Sequence, residues 1–271
     1  MVTIGAGVAG LGMLEPGRAD ERQAVSSGWP EIDALLPGGG VRRGSLVEWI
    51  ADAGGGAGAA TLACAIACRL ATTRRMGCDA GGEAGGDEPR GGMIVVVDRA
   101  GWFHPPAVLP WLGAGAAAAR LVVARPSRDD DELWAIDQAL RSAGVAAVVA
   151  WPRTVAAWSA GGGAGMARGR AGRGALNHWT TAMRRWQLAA RSGGAVGLVV
   201  RPPEAVGEPS WAESRLEVTA LADGARMSAV NRRLRITRVG GRWCGGAAAR
   251  PVEIAIDLGR GRATGAAPCR A

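Results

Sequence analysis

Gly54, Gly56 and Gly58 lie in a glycine-rich loop, 51–60, between a strand-like segment, Gly44–Ile50, and an apolar helix-like segment, Thr61–Thr73. A strand, a glycine loop and a helix N-terminus can present successive backbone N–H groups to a phosphate. Turning such a cradle into a site for phosphoryl transfer needs a lysine ammonium on the β/γ-phosphates and a hydroxyl for Mg²⁺. The chain has no lysine at any position, so its basic charge rests on arginines. Ala59 and Ala60 stand where the loop would need the lysine and the hydroxyl residue, and Ala53 stands at the first loop glycine. The loop therefore reads either as a weak anion nest or as a plain glycine turn, and in both readings hydrolysis is not expected.

A second glycine pattern, Gly5-Ala6-Gly7-Val8-Ala9-Gly10, has the spacing of a dinucleotide-binding turn. With Gly at 44 of 271 residues, such a spacing arises by chance about once in the chain. Only three strand-like residues precede it, and Gly12 and Pro16 interrupt the helix that should follow. Residues 1–25 are therefore read as a flexible leader. A flavin or nicotinamide enzyme remains the competing expectation.

The elements that would position the loop alternate along the chain. Strands are expected at Met93–Val97, Leu121–Ala124, Val145–Ala150 and Val196–Val200. Helices are expected at Ser26–Leu36, Pro105–Leu112, Glu132–Ala143 and Leu176–Ala190, the third opened by Asp129–Glu132, whose charge suits a helix N-terminus. Three tail strands follow at Arg215–Ala220, Arg232–Val239 and Val252–Asp257. The pattern predicts an α/β fold, a mainly parallel sheet with helices on both faces and an antiparallel C-terminal end. It forms one domain over 26–257, with flexible stretches at 77–92 and 160–174 (Gly/Arg-rich) and a tail at 258–271.

Composition narrows the classes. The net charge is +8, and Gly, Ala and Arg abound, as a G+C-rich genome would also produce. The five cysteines form no C-x-x-C, and Cys64 and Cys68 at i,i+4 suit buried thiols better than ligands, so no metal is expected. No stretch reaches the ~18 apolar residues of a membrane span, and no signal peptide is recognisable, so a cytoplasmic protein without membrane contact is expected.

The approach S-G-W-P-E-I-D-A-L-L-P-G-G-G-V-R-R-G-S-L-V-E, Ser27–Glu48, resembles the RecA/RadA superfamily. In that superfamily a helix with a Leu-Asp or Ile-Asp pair leads through Gly-Gly into the strand of the Walker A loop. The likeness continues through Val96-Val97-Asp98, through Trp102 to Gly113, and through Ala139–Gly144 with Val148-Val149, and covers roughly Ser26 to Asp257. It implies a RecA-like P-loop fold whose working residues are missing. Ala150 falls at the end of the Walker B strand in place of its Asp, and Ala100 near the position of the catalytic Glu.

Among inactive members, the chain resembles the ImuA family through Leu35–Gly44 and the tail Arg232–Ile236, Gly240-Gly241-Arg242 and Val252–Asp257. That likeness implies a non-catalytic accessory protein in DNA-damage-induced translesion synthesis, within the SOS response. The implied partners are an inactive Y-family polymerase homologue (ImuB-like), an error-prone DNA polymerase and RecA, with single-stranded DNA as a further one. No cofactor is implied, though weak ATP binding stays compatible with the nest. The alternatives are a SulA-like cell-division inhibitor and a weak ATP-binding ATPase of the same fold.

Arginines supply the candidate contacts. Nine of them and no acid lie between Gln138 and Pro203, among them Arg168, Arg170, Arg173, Arg184 and Arg185. Trp158 and Trp179 flank the Gly/Arg loop and are placed to stack on bases. Arg233 and Arg235 share one strand face and would meet DNA or an acidic partner; an edge strand guarded by charge is the other reading. Trp49, Trp134 and Trp186 fit packing positions, and Trp102, Trp111 and Trp211 fit interface anchors.

Overall fold

The computed structural model describes residues 24–52, 58–73, 92–112, 120–155, 157, 168–221, 231–242, 250–258 and 262–264, with the backbone alone at 168–173 and 262–264. The leader to residue 23, most of the 77–92 insert, Trp158, Gly54 and Gly56 lie outside the described residues.

The chain enters through β1 (Ala24–Val25) and the short helix α1 (Pro30–Asp33), and β1 pairs antiparallel with β2 (Val41–Arg42). The Asp33 carboxylate folds the entry back on itself, accepting the Ser27 backbone N–H and the Ser26 hydroxyl, both at 2.7 Å. Ile32 of the same pair is fully buried.

The main sheet is built from β3 (Leu46–Ala51), β4 (Met93–Val97), β5 (Leu121–Ala124), β6 (Val145–Ala150), β7 (Val196–Arg201), β8 (Ser214–Ala220), β9 (Asn231–Gly240), β10 (Val252–Asp257) and β11 (Arg262–Thr264). Their order across the sheet is β11-β10-β9-β8-β3-β7-β6-β4-β5. The five pairings from β8 to β5 are parallel, and the three from β8 to β11 are antiparallel. The mainly parallel sheet with an antiparallel C-terminal end is as expected, and β11 extends it into the stretch read as a tail.

Strand alternation sorts the core into two layers. Val47, Trp49, Ile94, Val96, Val149, Leu198, Leu216 and Leu234 face α2 (Ala59–Thr72), with α1 and α3 (Leu109–Leu112) beside it. Leu46, Val95, Val97, Val148 and Ala150 face α4 (Asp129–Arg141) and α5 (Arg168–Gly193) on the other side. Helix α2 is almost all Ala, Leu, Ile and Cys, so it lies flat against the parallel strands. Cys64 and Cys68 are buried free thiols, and burial pushes both up to about 12, which keeps them protonated.

Helix α5 starts at Arg168, eight residues before the expected Leu176, so Arg168, Arg170 and Arg173 belong to a helix and not to a Gly/Arg loop. Glycines 169, 172 and 174 disfavour helix locally, but the segment is continuous with a turn that buries Trp179, Met183 and Trp186. Tertiary anchoring outweighs propensity here.

Candidate functional site

The parallel registers bring the carboxyl ends of four strands level. Ile50 of β3 lies beside Arg201 of β7, and Val97 of β4 beside Ala150 of β6. Ligands of open α/β sheets settle in the crevice outside these ends. A cavity of about 740 Å³ occupies that crevice. Its floor comes from Gly58, Ala59, Ala60 and Thr61 at the start of α2, with Asp52 just past β3.

The joint before α2 has the geometry its glycine allows. Gly58 takes φ 86°, ψ −1°, the left-handed region, and Ala59 opens the helix. A Cβ on Gly58 would lie 2.8 Å from Leu234 Cδ1, so β9 also presses on this point. Among the described residues no side chain caps the helix. The helix opens two residues before the expected Thr61, so the alanines at 59 and 60 take its first positions instead of closing the loop, and Thr61 behind them lines the cavity.

The walls carry charge that the loop lacks. Arg99 and Ala100 follow β4, Trp151 and Arg153 follow β6, Arg201 ends β7, and Glu132 reaches in from α4. With Asp52 and Glu204, three arginines and three carboxylates line the cavity. Apart from Asp52, which opens the loop, these charges come from the ends of β4, β6 and β7, from Glu204 just beyond β7 and from α4. Ala150 itself is buried toward α4 and α5, and the neighbouring Trp151 faces the cavity instead.

Glu132 is the unusual member. Its side chain is 1% exposed, with Oε2 3.4 Å from Arg99 Nε and no hydrogen-bond partner. Arg99 also reaches Asp129 at 3.0 Å, and Arg153 reaches Asp129 at 3.7 Å. Burial pushes the Glu132 carboxyl up to about 7; Arg99 opposes the shift and Asp129 adds to it. A carboxyl titrating near neutrality in a crevice can donate or accept a proton there. The acidic run 129–132 signals only a helix N-terminus in the sequence; burial of its last member is a tertiary fact.

Asp98 shapes the wall without entering it. It is fully buried and accepts the Trp102 and Phe103 backbone N–H groups at 2.9 Å each. This turn sets Arg99 and Ala100 at the cavity and leaves Trp102 73% exposed.

The arginines singled out for contact lie on two elements, α5 and β9. Arg168, Arg170 and Arg173 are placed by backbone only. Arg184 lies 5.2 Å from the Trp211 ring centroid, and Arg185 is 3.5 Å from the Asp137 carboxylate. Arg233 and Arg235 do share a face, as expected, but both bond Glu253 of β10 at 2.9 Å. Strand β9 lies between β8 and β10 and is not an edge. Trp179 is fully buried, its indole N–H donating to the Pro209 carbonyl, so it does not stack on bases. Trp134 is 61% exposed, not a packing residue.

Among the described residues no group of His, Cys, Asp and Glu could hold a metal ion, and no helix is long and apolar enough to cross a membrane. The fold and crevice define an α/β protein with a mainly parallel mixed sheet and its cavity at the strands' carboxyl ends. In comparisons with known proteins, no family model matches the chain. No curated protein matches its sequence either.

Proposed function

We propose that this chain is a non-catalytic RecA-like accessory protein in DNA-damage-induced translesion synthesis. In that role it joins an ImuB-like polymerase homologue, an error-prone polymerase and RecA, with single-stranded DNA as a further contact. The observation that carries the reading is the joint Gly58-Ala59-Ala60. A left-handed glycine opens an uncapped helix at the carboxyl end of β3, with alanine at both positions where phosphate and metal chemistry would need a cation and a hydroxyl. Such a joint supports docking and weak anion contact, not phosphoryl transfer.

The test has two arms. Purified chain shows no magnesium-dependent ATP turnover above a no-protein control, and the full chain recovered from damaged cells brings the polymerase homologue with it. Recovery of cell-division proteins instead, with filamentation on expression, would replace the reading with a division inhibitor.

A second reading, a weak ATPase, is favoured by Glu132, a buried carboxyl titrating near pH 7 in the same cavity as the helix N-terminus. Turnover that disappears in Glu132→Gln would establish it.

A further inference from the structure

At the opposite end of the sheet, below the amino ends of β3 and β8, a second cavity of about 370 Å³ is lined by Arg42, Arg43, Arg191 and Arg242 against one carboxylate, Glu213. The β2–β3 turn, the last turn of α5 and the end of β9 converge there. Close backbone approaches fix these segments. Gly44 takes φ 72°, and a Cβ on it would stand 3.2 Å from Ala190 O and Arg191 Cα. Gly241 takes φ 130°, and a Cβ on it would meet Glu213 O at 2.2 Å. The Arg242 backbone N–H donates to the Ala212 carbonyl at 3.1 Å, anchoring the segment that bears that guanidinium.

The arginines divide by what already engages them. Arg42 Nη1 bonds Glu213 Oε1 at 2.6 Å, and Arg43 donates to the Leu70 and Thr73 carbonyls at the end of α2. Arg191 and Arg242 are exposed, and Arg242 lies 4.9 Å from the Trp211 ring centroid. Arg184 lies 5.2 Å from the same ring. Burial raises the Glu213 carboxyl, with Arg42, Ser45 and Arg191 opposing, and it is the one carboxylate set among four guanidiniums.

We infer that this cavity is a phosphate-binding site, in which Arg191 and Arg242, backed by Arg42, grip the phosphate group of a ligand. Guanidiniums match phosphate oxygens bidentately, in monoesters and diesters alike, and an anion brought from outside offsets the excess of positive charge that the single carboxylate leaves. The phosphate can belong to a small phosphomonoester or to the diester backbone of a nucleic-acid strand. The site is remote from the crevice at the carboxyl ends and does not rest on the accessory role, although a strand bound here would also supply that role's single-stranded DNA contact.

Calorimetric titration of the full chain at low salt, with inorganic phosphate and separately with a short oligothymidylate, tests it. The variant R191Q/R242Q removes the two exposed guanidiniums. R128Q/R232Q removes the same charge from exposed positions elsewhere. The expected result is saturable binding weakened at least roughly tenfold in R191Q/R242Q and little changed in R128Q/R232Q. Phosphate binding alone assigns a small monoester, whereas oligonucleotide binding, with or without phosphate, assigns a strand. Absence of binding by either probe, or equal weakening in the two variants, overturns the site.

Discussion

The Arg201 guanidinium lies 3.8 Å from the centroid of the Trp179 ring, fully inside the protein, at the end of β7 and beneath α5. It also pairs with Glu208, whose other oxygen accepts the Val155 backbone N–H at 2.7 Å. Burial pulls the guanidinium below its usual range, and Glu48 and Glu208 oppose that shift. Next to it, Arg215 bonds Glu48 at 2.6 Å and the Ala205 carbonyl at 2.6 Å. These contacts tie the end of β7 to α5, and through it the side of the crevice formed by Val200, Arg201 and Pro202. Arg201→Met is expected to cost about 3–5 kcal/mol, because Glu208 loses its buried partner. R201M/E208Q recovers part of that loss, since no lone charge remains. Denaturant unfolding of the three proteins measures the recovery; none at all would mean the ring contact, not the ion pair, dominates.

Glu132 makes stability depend on pH. Its carboxyl is raised in the folded chain, so between about pH 4.5 and about pH 7 the folded state holds a proton that the unfolded state has released. Stability from this group is therefore present at low pH and lost as pH rises through that window. Glu132→Gln mimics the protonated form. It should be nearly neutral at pH 5 and stabilise by about 1–3 kcal/mol at pH 8. Thermal unfolding at the two pH values checks the sign, and a variant less stable at pH 8 than at pH 5, relative to wild type, would show that the Arg99 attraction outweighs burial.

The strands Met93–Val97, Leu121–Ala124 and Val145–Ala150 lie where their runs of Val, Ile, Leu and Ala place them. Apolar segments of strand length, flanked by turns, leave little freedom. The helix α2 was legible for the same reason. The walls of the crevice were not. Arg99, Glu132, Arg153 and Arg201 come from four separate elements, and only the parallel registers bring them together. Each looks like an ordinary surface charge in sequence. Trp179 failed in the opposite direction: its place beside an arginine-rich stretch suggested stacking, but its helix face points at Arg201 and Trp186.

Gly58 and Leu234 offer a pairwise test of the joint. Gly58→Ala imposes a Cβ at φ 86° and pushes it to within 2.8 Å of Leu234 Cδ1. The left-handed conformation alone costs a non-glycine residue about 1–3 kcal/mol. Leu234→Ala, at a fully buried position, costs about 2–5 kcal/mol by leaving a cavity. In the double variant the new methyl meets space instead of the leucine, so the combined loss falls short of the sum. Unfolding free energies around the four-protein cycle measure that coupling, and strict additivity would show that the two residues do not press on each other.

Arg233, Arg235 and Glu253 decide whether the open face of β9 and β10 attracts nucleic acid. The two guanidiniums share one carboxylate at 2.9 Å, and both pull it below its usual range, with the Arg235 hydrogen bond leading. The pairing leaves a single excess positive charge spread over an exposed surface, where salt screens it within about 8–10 Å. R233Q/R235Q should therefore change oligothymidylate affinity less than R191Q/R242Q does, although both remove two charges. Glu253→Gln releases both guanidiniums from their partner and should raise affinity, with a steeper dependence on salt as more phosphates are engaged. Binding isotherms at two salt concentrations separate these outcomes. If R233Q/R235Q instead abolishes binding while R191Q/R242Q leaves it intact, nucleic acid meets this sheet face and not the arginine cavity at the amino ends of the strands.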